Sequence, residues 1–170
     1  AQSLQPDSAI VGIFSDLGVQ TTFTGEGLVI QHKKSELTEF ERDFTDCPDI
    51  AQTVAVTCFA LGITSRLSGL KTLRIKETDR ISALKNELEK FGAKVLVTGD
   101  TIQVEPSEWE PGTRQMEVAT YNDHRMAMSF APLALVYGHI GIQHHEVVDK
   151  SYPGFWEDLK SAGFSVNLQV

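Results

Sequence analysis

Apolar residues recur at helical spacing in two separate stretches of the chain. Ile10, Ile13, Phe14 and Leu17 fall on one face of a helix predicted from about Asp7 to Leu17, and Ile81, Leu84, Leu88 and Phe91 on one face of another from about Asp79 to Phe91. Each is followed by two short runs joined by a glycine turn, the signature of a hairpin: Val19 to Thr24 then Leu28 to His32 around Gly25-Glu26-Gly27, and Lys94 to Thr98 then Thr101 to Glu105 around Gly99-Asp100. Two further helices, Asp49 to Leu61 and Asp123 to Tyr137, are apolar almost all round, as expected of enclosed helices. The runs Arg66 to Leu73 and Ile140 to Val148 read as closing strands.

These elements repeat. One offset of 74 residues carries Gly18 onto Gly92, Thr24-Gly25 onto Thr98-Gly99, Glu36 onto Glu110, Asp49 onto Asp123, Ala60-Leu61 onto Ala134-Leu135 and Lys76 onto Lys150, with no gap. A period longer than a solenoid unit predicts a duplicated supersecondary unit whose copies pack together. A third copy starts at Phe155 to Leu159 and Ala162-Gly163-Phe164. The fold class expected is α+β, in repeats of about 1–76, 77–150 and a partial 151–170, with helices packed inside sheets. Before its first helix the chain has only Gln2-Ser3-Leu4-Gln5-Pro6, without the strand and lysine that precede the equivalent helix later, so it reads as a piece of a longer protein.

At 170 residues and 41% hydrophobic content, one ordinary domain with a core is expected. A net charge of -8 argues against nucleic acid as a partner. Eight of the fifteen basic residues nevertheless lie between Arg66 and Lys94, which points to small anionic ligands. Cys47 and Cys58 have no metal-ligand spacing and read as reduced thiols of a cytoplasmic protein. The most apolar stretch, Met126 to Ile142, is interrupted by polar residues and Pro132, and no secretory leader is visible, so neither membrane insertion nor secretion is expected.

Asp49 and Asp123 each open an apolar helix, where a carboxylate ordinarily serves as N-cap. Arg74-Ile75-Lys76-Glu77-Thr78-Asp79-Arg80 crowds five charges into a junction before a helix, with Thr78 or Asp79 as the cap. Cations at a helix start are disfavoured by the dipole unless an anion sits there too. Arg125, in the first turn of a nearly apolar helix, also needs an acidic partner or a bound anion. His124 is a weaker signal, since a lone histidine beside a helix start is more often a structural group than a catalyst. His144 and His145 lie in the last predicted strand without metal spacing. With no phosphate loop, dinucleotide fingerprint or Ser-centred elbow, no cofactor and no metal is expected.

Leu73-Arg74-Ile75-Lys76-Glu77-Thr78-Asp79-Arg80, Tyr121-Asn122-Asp123-His124-Arg125-Met126-Ala127-Met128 and Pro48-Asp49, with Lys150-Ser151-Tyr152-Pro153 near the end, resemble the signatures of the 5-enolpyruvylshikimate-3-phosphate synthase family. The resemblance implies two domains, each of three βαβαββ units, of which this chain would be most of the C-terminal one; the partner it lacks would be the N-terminal domain. It implies transfer of the enolpyruvyl group of phosphoenolpyruvate to the 5-hydroxyl of shikimate 3-phosphate, without metal or cofactor. By the same resemblance Asp49 is the base toward the attacking hydroxyl, and Glu77 the acid that protonates the methylene. Lys76 is implied as a shikimate 3-phosphate ligand, and Arg80, Arg125 and Lys150 as ligands of phosphoenolpyruvate. Asp123 and His124 shape the site, and Thr72 stands where the family often carries a ligand asparagine. Two alternatives stay open: transfer to a UDP-linked aminosugar, and a non-catalytic anion-binding module.

Overall fold

The computed structural model describes residues 6–106 and 116–168. Gln2 to Gln5 and Glu110, which the sequence pattern assigned to the chain opening and to the repeat, lie outside them. After a short 3-10 turn the chain forms α1 (Ile10–Asp16), the strands β1 (Val19–Phe23), β2 (Leu28–His32) and β3 (Glu39–Asp43), then α2 (Ala51–Ala60) and β4 (Thr64–Ser68). The order recurs in α3 (Arg80–Lys90), β5 (Lys94–Thr98), β6 (Thr101–Glu105), β7 (Glu117–Val118), α4 (His124–Phe130) and β8 (Gly141–Ile142), with α5 (Ala134–Tyr137) before β8 and α6 (Phe155–Ser161) after it. Gly18, Gly92 and Gly163, which end α1, α3 and α6, share a left-handed backbone with φ of 92°, 90° and 99°. Only glycine adopts that cap without strain.

The strands form three sheets. β1 and β2 make an antiparallel hairpin alone, β7 and β8 a parallel pair alone, and the middle sheet joins one of each kind in the order β3-β4-β6-β5. Within it β3 and β4 run parallel across the α2 crossover, while β4 pairs antiparallel with β6. α2 and α4 pack on each other at the centre. Val54, Ala55, Cys58, Met126 and Phe130 are fully buried there. Burial pushes the Cys58 thiol up to about 12, so it is inert at neutral pH. Among the described residues no helix is long and apolar enough to cross a membrane.

Both expected closing strands are shorter than predicted. β4 stops at Ser68 because Gly69 turns left-handed (φ 75°), where a Cβ would come within 2.3 Å of Asp43 Oδ1. Residues Lys71–Ile75 then wind into a 3-10 turn. β8 has only two residues because β7 offers no more; His144 takes a left-handed conformation (φ 49°), and His145–Lys150 form another 3-10 turn. The two histidines therefore lie outside any strand. The helix expected from Asp123 to Tyr137 passes through a 3-10 stretch at Ala131–Leu133, where Pro132 lacks the N–H that an α-helix needs. Its last turn is not enclosed, with Leu135 76% exposed.

Phe91 fixes α3 against this interior, its ring centroid 5.0 Å from Tyr137, 6.0 Å from Phe130 and 6.5 Å from Phe59. We expect Phe91→Ala to cost about 3–5 kcal/mol by loss of transfer energy and a residual cavity. Leu135→Ala, at an exposed position, should stay within about 0.5 kcal/mol. Urea unfolding midpoints of the two variants check the contrast.

Candidate active site

Three segments distant in sequence meet at the guanidinium of Arg80, the first residue of α3. Its side chain is 2% exposed, so every N–H it carries must find a partner inside the protein. Nε donates to Asp123 Oδ2 at 2.5 Å, Nη1 to Asp49 Oδ1 at 2.8 Å, and Nη2 to Glu77 Oε2 at 2.7 Å and Asp123 Oδ1 at 3.3 Å. Asp123 is fully buried, whereas Asp49 and Glu77 remain 29% and 45% exposed. The buried side of the fork is thus closed, and the two other carboxylates stand side by side at its open rim.

Local structure explains each placement. Asp123 is the N-cap of α4, accepting from the Arg125 backbone N–H at 2.9 Å, which leaves its outer oxygen for Arg80. Asp49 departs from the N-cap reading. It sits inside a 3-10 turn, Pro48–Ile50, that has no side-chain cap, and its carboxylate turns instead to Arg80 and to Lys76 Nζ at 3.3 Å. Asp79 caps α3, accepting from Ser82 N at 3.2 Å, and Lys76 closes the preceding 3-10 turn. Arg125 Nη1 donates to the Asp49 main-chain carbonyl at 3.0 Å, and Nη2 lies 3.8 Å from its carboxylate. The partner required by a cation at a helix start is therefore the protein's own acid.

His124 is 15% exposed, with Nδ1 4.0 Å from Asp123 Oδ1. Burial is the main force holding its imidazole below the ordinary 6.5; Arg125 and Arg80 push the same way, while Asp123 and Glu77 oppose. Glu77 is held below the ordinary carboxylate range, first by a hydrogen bond from its own backbone N–H, then by the charges of Arg80, His124 and Lys76, against the push of burial. With His124 neutral, three cations (Lys76, Arg80, Arg125) face three carboxylates (Asp49, Glu77, Asp123), and the site is electrically balanced.

Two candidates stay at the margin. Thr72 is exposed in the Lys71–Ile75 turn, which packs on the turn bearing Asp49, and its side chain makes no hydrogen bond among the described residues. Lys150 is exposed at the end of the 3-10 turn that packs on α4, without an ion pair among the described residues. The basic window from Arg66 to Lys94 does not form one anionic-ligand patch. Arg66, Arg74, Lys85, Lys90 and Lys94 pair with Glu41, Asp79, Glu89, Glu87 and Glu105, Lys71 has no ion pair among the described residues, and Lys76 and Arg80 reach the cluster. Sequence reasoning missed Glu87, buried two turns along α3 from Arg80; its place between Leu84 and Leu88 on an apolar stripe was the available signal. Among the described residues no group of His, Cys, Asp and Glu is placed to hold a metal.

Asp123→Ala leaves a buried guanidinium short of its fully buried partner and should destabilise the protein by about 3–5 kcal/mol. Glu77→Ala removes a half-exposed partner and should cost about 0–1 kcal/mol. The low His124 pKa means that the unfolded chain takes up a proton first as pH falls below 6.5. Stability should therefore drop with falling pH through that value until the folded form also protonates. His124→Gln should flatten that part of the profile, as read from denaturant midpoints between about pH 7 and pH 5, around the ordinary histidine value.

The family model described as EPSP synthase (3-phosphoshikimate 1-carboxyvinyltransferase) matches residues 1–159. The 3-phosphoshikimate 1-carboxyvinyltransferase of Bacteroides fragilis is 43% identical over 166 residues, 98% of this chain and 40% of its own length. That of Methanospirillum hungatei is 38% identical, over 94% of this chain and 36% of its own length. The chain thus spans about two fifths of the length of the curated relatives it matches. The solved structure of EPSP synthase from Acinetobacter baumannii superposes with a TM-score of 0.74 at 24% identity, covering 96% of this chain and 40% of that one. The enolpyruvyl transferase NikO from Streptomyces tendae does so with a TM-score of 0.66 at 16% identity, covering 96% and 36%. The fold is thus the α+β enolpyruvyl transferase fold, and the chain belongs to the EPSP synthase family.

Proposed function

We propose that this chain is most of one domain of a two-domain, cytoplasmic 3-phosphoshikimate 1-carboxyvinyltransferase, built from a duplicated unit and supplying half of a site completed by the other domain. The observation that carries the reading is the meeting of Asp49, Glu77 and Asp123 at the Arg80 guanidinium, with Lys76 and Arg125 held against Asp49, all at the family's signature positions. The isolated hairpin β1–β2 and the isolated parallel pair β7–β8 support the duplication, since the middle sheet joins one of each.

In this reaction the 5-hydroxyl of shikimate 3-phosphate attacks C2 of phosphoenolpyruvate as its proton passes to Asp49, and the C3 methylene takes a proton from Glu77. The resulting tetrahedral adduct then loses a proton from the new methyl group and expels phosphate, restoring the double bond. Glu77, held below the ordinary carboxylate range, is ionised at neutral pH, so donation requires that its proton affinity rise on substrate binding. Phosphoenolpyruvate supplies that rise: its negative charge lies near the carboxylate and competes for Arg80 and Lys76. Lys76 and Thr72 face shikimate 3-phosphate in this scheme, and Arg80, Arg125 and Lys150 face phosphoenolpyruvate, with His124 lining the same wall.

The chain alone should show no turnover with shikimate 3-phosphate and phosphoenolpyruvate, because one domain cannot exclude water or orient both substrates. Mixed with the separately made remaining domain it should release phosphate. In that mixture Glu77→Ala should lower kcat by about 10²–10⁴-fold, the range of a general acid. Arg125→Ala should act mainly on KM for phosphoenolpyruvate. Turnover of a UDP-linked aminosugar in place of shikimate 3-phosphate would redirect the assignment to that acceptor, and a mixture that associates without any turnover would leave only anion binding.

A further inference from the structure

α3 carries a second buried charged residue on the same stripe as Arg80. Glu87, two turns further on, is fully buried and accepts three hydrogen bonds: from the Ala119 backbone N–H at 3.1 Å and Lys90 Nζ at 2.6 Å on Oε2, and from the Tyr121 hydroxyl at 2.8 Å on Oε1. Ala119 follows β7 directly, and Tyr121 stands two residues before Asp123. One helix therefore holds both ends of the short segment that delivers Asp123, His124 and Arg125, by Glu87 before it and by Arg80 at its end.

The segment between those holds is strained. Tyr121 and Asn122 are consecutive non-glycine residues in the left-handed region, with φ of 54° and 57°, a conformation that persists only where the surroundings impose it. Besides Glu87, Asn86 on the same helix also interacts with the Tyr121 phenol. Asn122 is exposed, and the Thr120 hydroxyl, though buried, has no hydrogen-bond partner among the described residues. Burial and the bond to Glu87 raise the Tyr121 phenol above its ordinary value against an opposing push from Asn86, so the hydroxyl stays protonated and donates at neutral pH.

We infer that Glu87 is a positioning residue for the active site, acting through the Tyr121 hydroxyl to hold the left-handed pair and so to set Asp123, His124 and Arg125 against Arg80 and Asp49. It touches no reacting group. Its effect is carried by Arg125 and Arg80, which makes it specific for the anionic substrate those residues face; in this the inference rests on the reading of the site as an enolpyruvyl transferase. Lys90, the remaining partner of Glu87, neutralises the carboxylate from the surface side and touches no residue of the cluster.

The test uses the full-length enzyme bearing Tyr121→Phe or Glu87→Gln, the latter able to keep an amide against the phenol. Glu87→Ala is avoided because it opens the core. Loss of one hydrogen bond that orients the loop should raise KM for phosphoenolpyruvate about 5-fold in Tyr121→Phe, with KM for shikimate 3-phosphate and kcat essentially unchanged. Glu87→Gln should do less, and should add nothing in the Tyr121→Phe background. In the same variant the His124 imidazole, followed by NMR and assigned with His124→Gln, should titrate closer to 6.5 as its burial loosens. A lower melting temperature with unchanged KM values and an unmoved His124 titration would overturn the inference, leaving Glu87 a merely structural residue. A wild-type enzyme that fails to transfer enolpyruvate, yet shows the His124 shift in Tyr121→Phe, would overturn the assigned reaction while the positioning role stands.

Discussion

A guanidinium removed from water has to be repaid with hydrogen bonds and opposite charge, and Arg80 imposes that demand on the whole molecule. The desolvation of a buried cation is several kcal/mol even after the protein relaxes. Arg80 meets it with carboxylates from three places: the turn before α2, the junction before its own helix, and the cap of α4. Those places can converge only if α2 and α4 lie side by side with α3 against them. The packing of Phe59, Phe91 and Phe130 supplies that arrangement from the apolar side. The core brings the acids within reach, and the ion cluster selects one relative placement of the helices.

α3 is the element where the two demands join. Its stripe alternates charge and oil: Arg80, then Ile81, Leu84, Glu87 and Leu88 are all buried. An amphipathic surface helix would normally spend that face on apolar contact alone. Here one end of the face grips Asp123 and the other grips the strand end and Tyr121, so the apolar residues between them fix the spacing of two polar anchors. A shift of α3 along its axis by one residue would unpair both, which makes helix packing and site geometry a single property.

The sequence made the elements legible where the cause was local. Both hairpins, with Gly25-Glu26-Gly27 and Gly99-Asp100 at their turns, and the amphipathic face of α3 form at the predicted positions, because turn chemistry and periodicity act over a few residues, whereas α1 begins only at Ile10, which is 42% exposed, and buries its face at Ile13 and Leu17. The closing strands were overextended, because what ends them is tertiary: the close approach of Asp43 and Thr45 at Gly69, and the shortness of β7 beside β8. The candidate residues Asp49, Lys76, Glu77, Arg80, Asp123 and Arg125 come together, but their company could not be read from spacing, since Asp49 and Asp123 both looked like ordinary caps and only one of them is. Glu87 stayed hidden for the opposite reason. Its place between Leu84 and Leu88 on the apolar stripe was a weak mark, outweighed by the polar neighbours Lys85-Asn86 and Glu89-Lys90 until the neighbouring segment is seen folded over it.

The charge balance of the cluster orders the chemistry that the site can perform. With its three cations already neutralised by three carboxylates, the cluster has no net charge to attract an anion, and any anion that binds there must take donors from Asp49 or Glu77. Asp123 is fully buried, so any such exchange would fall to the exposed rim, where Asp49 and Glu77 stand. Displacement from Arg80 or Lys76 raises the proton affinity of whichever carboxylate is displaced. In the proposed reaction, binding therefore does part of the acid–base work: phosphoenolpyruvate, by competing for the cations, converts Glu77 from a charged partner into a group able to hold and then release a proton. The cost of that exchange has to be met by contacts beyond this cluster. Lys150, exposed on the turn packed against α4 and without an ion pair among the described residues, is a cation that would contribute to meeting it in the proposed reaction.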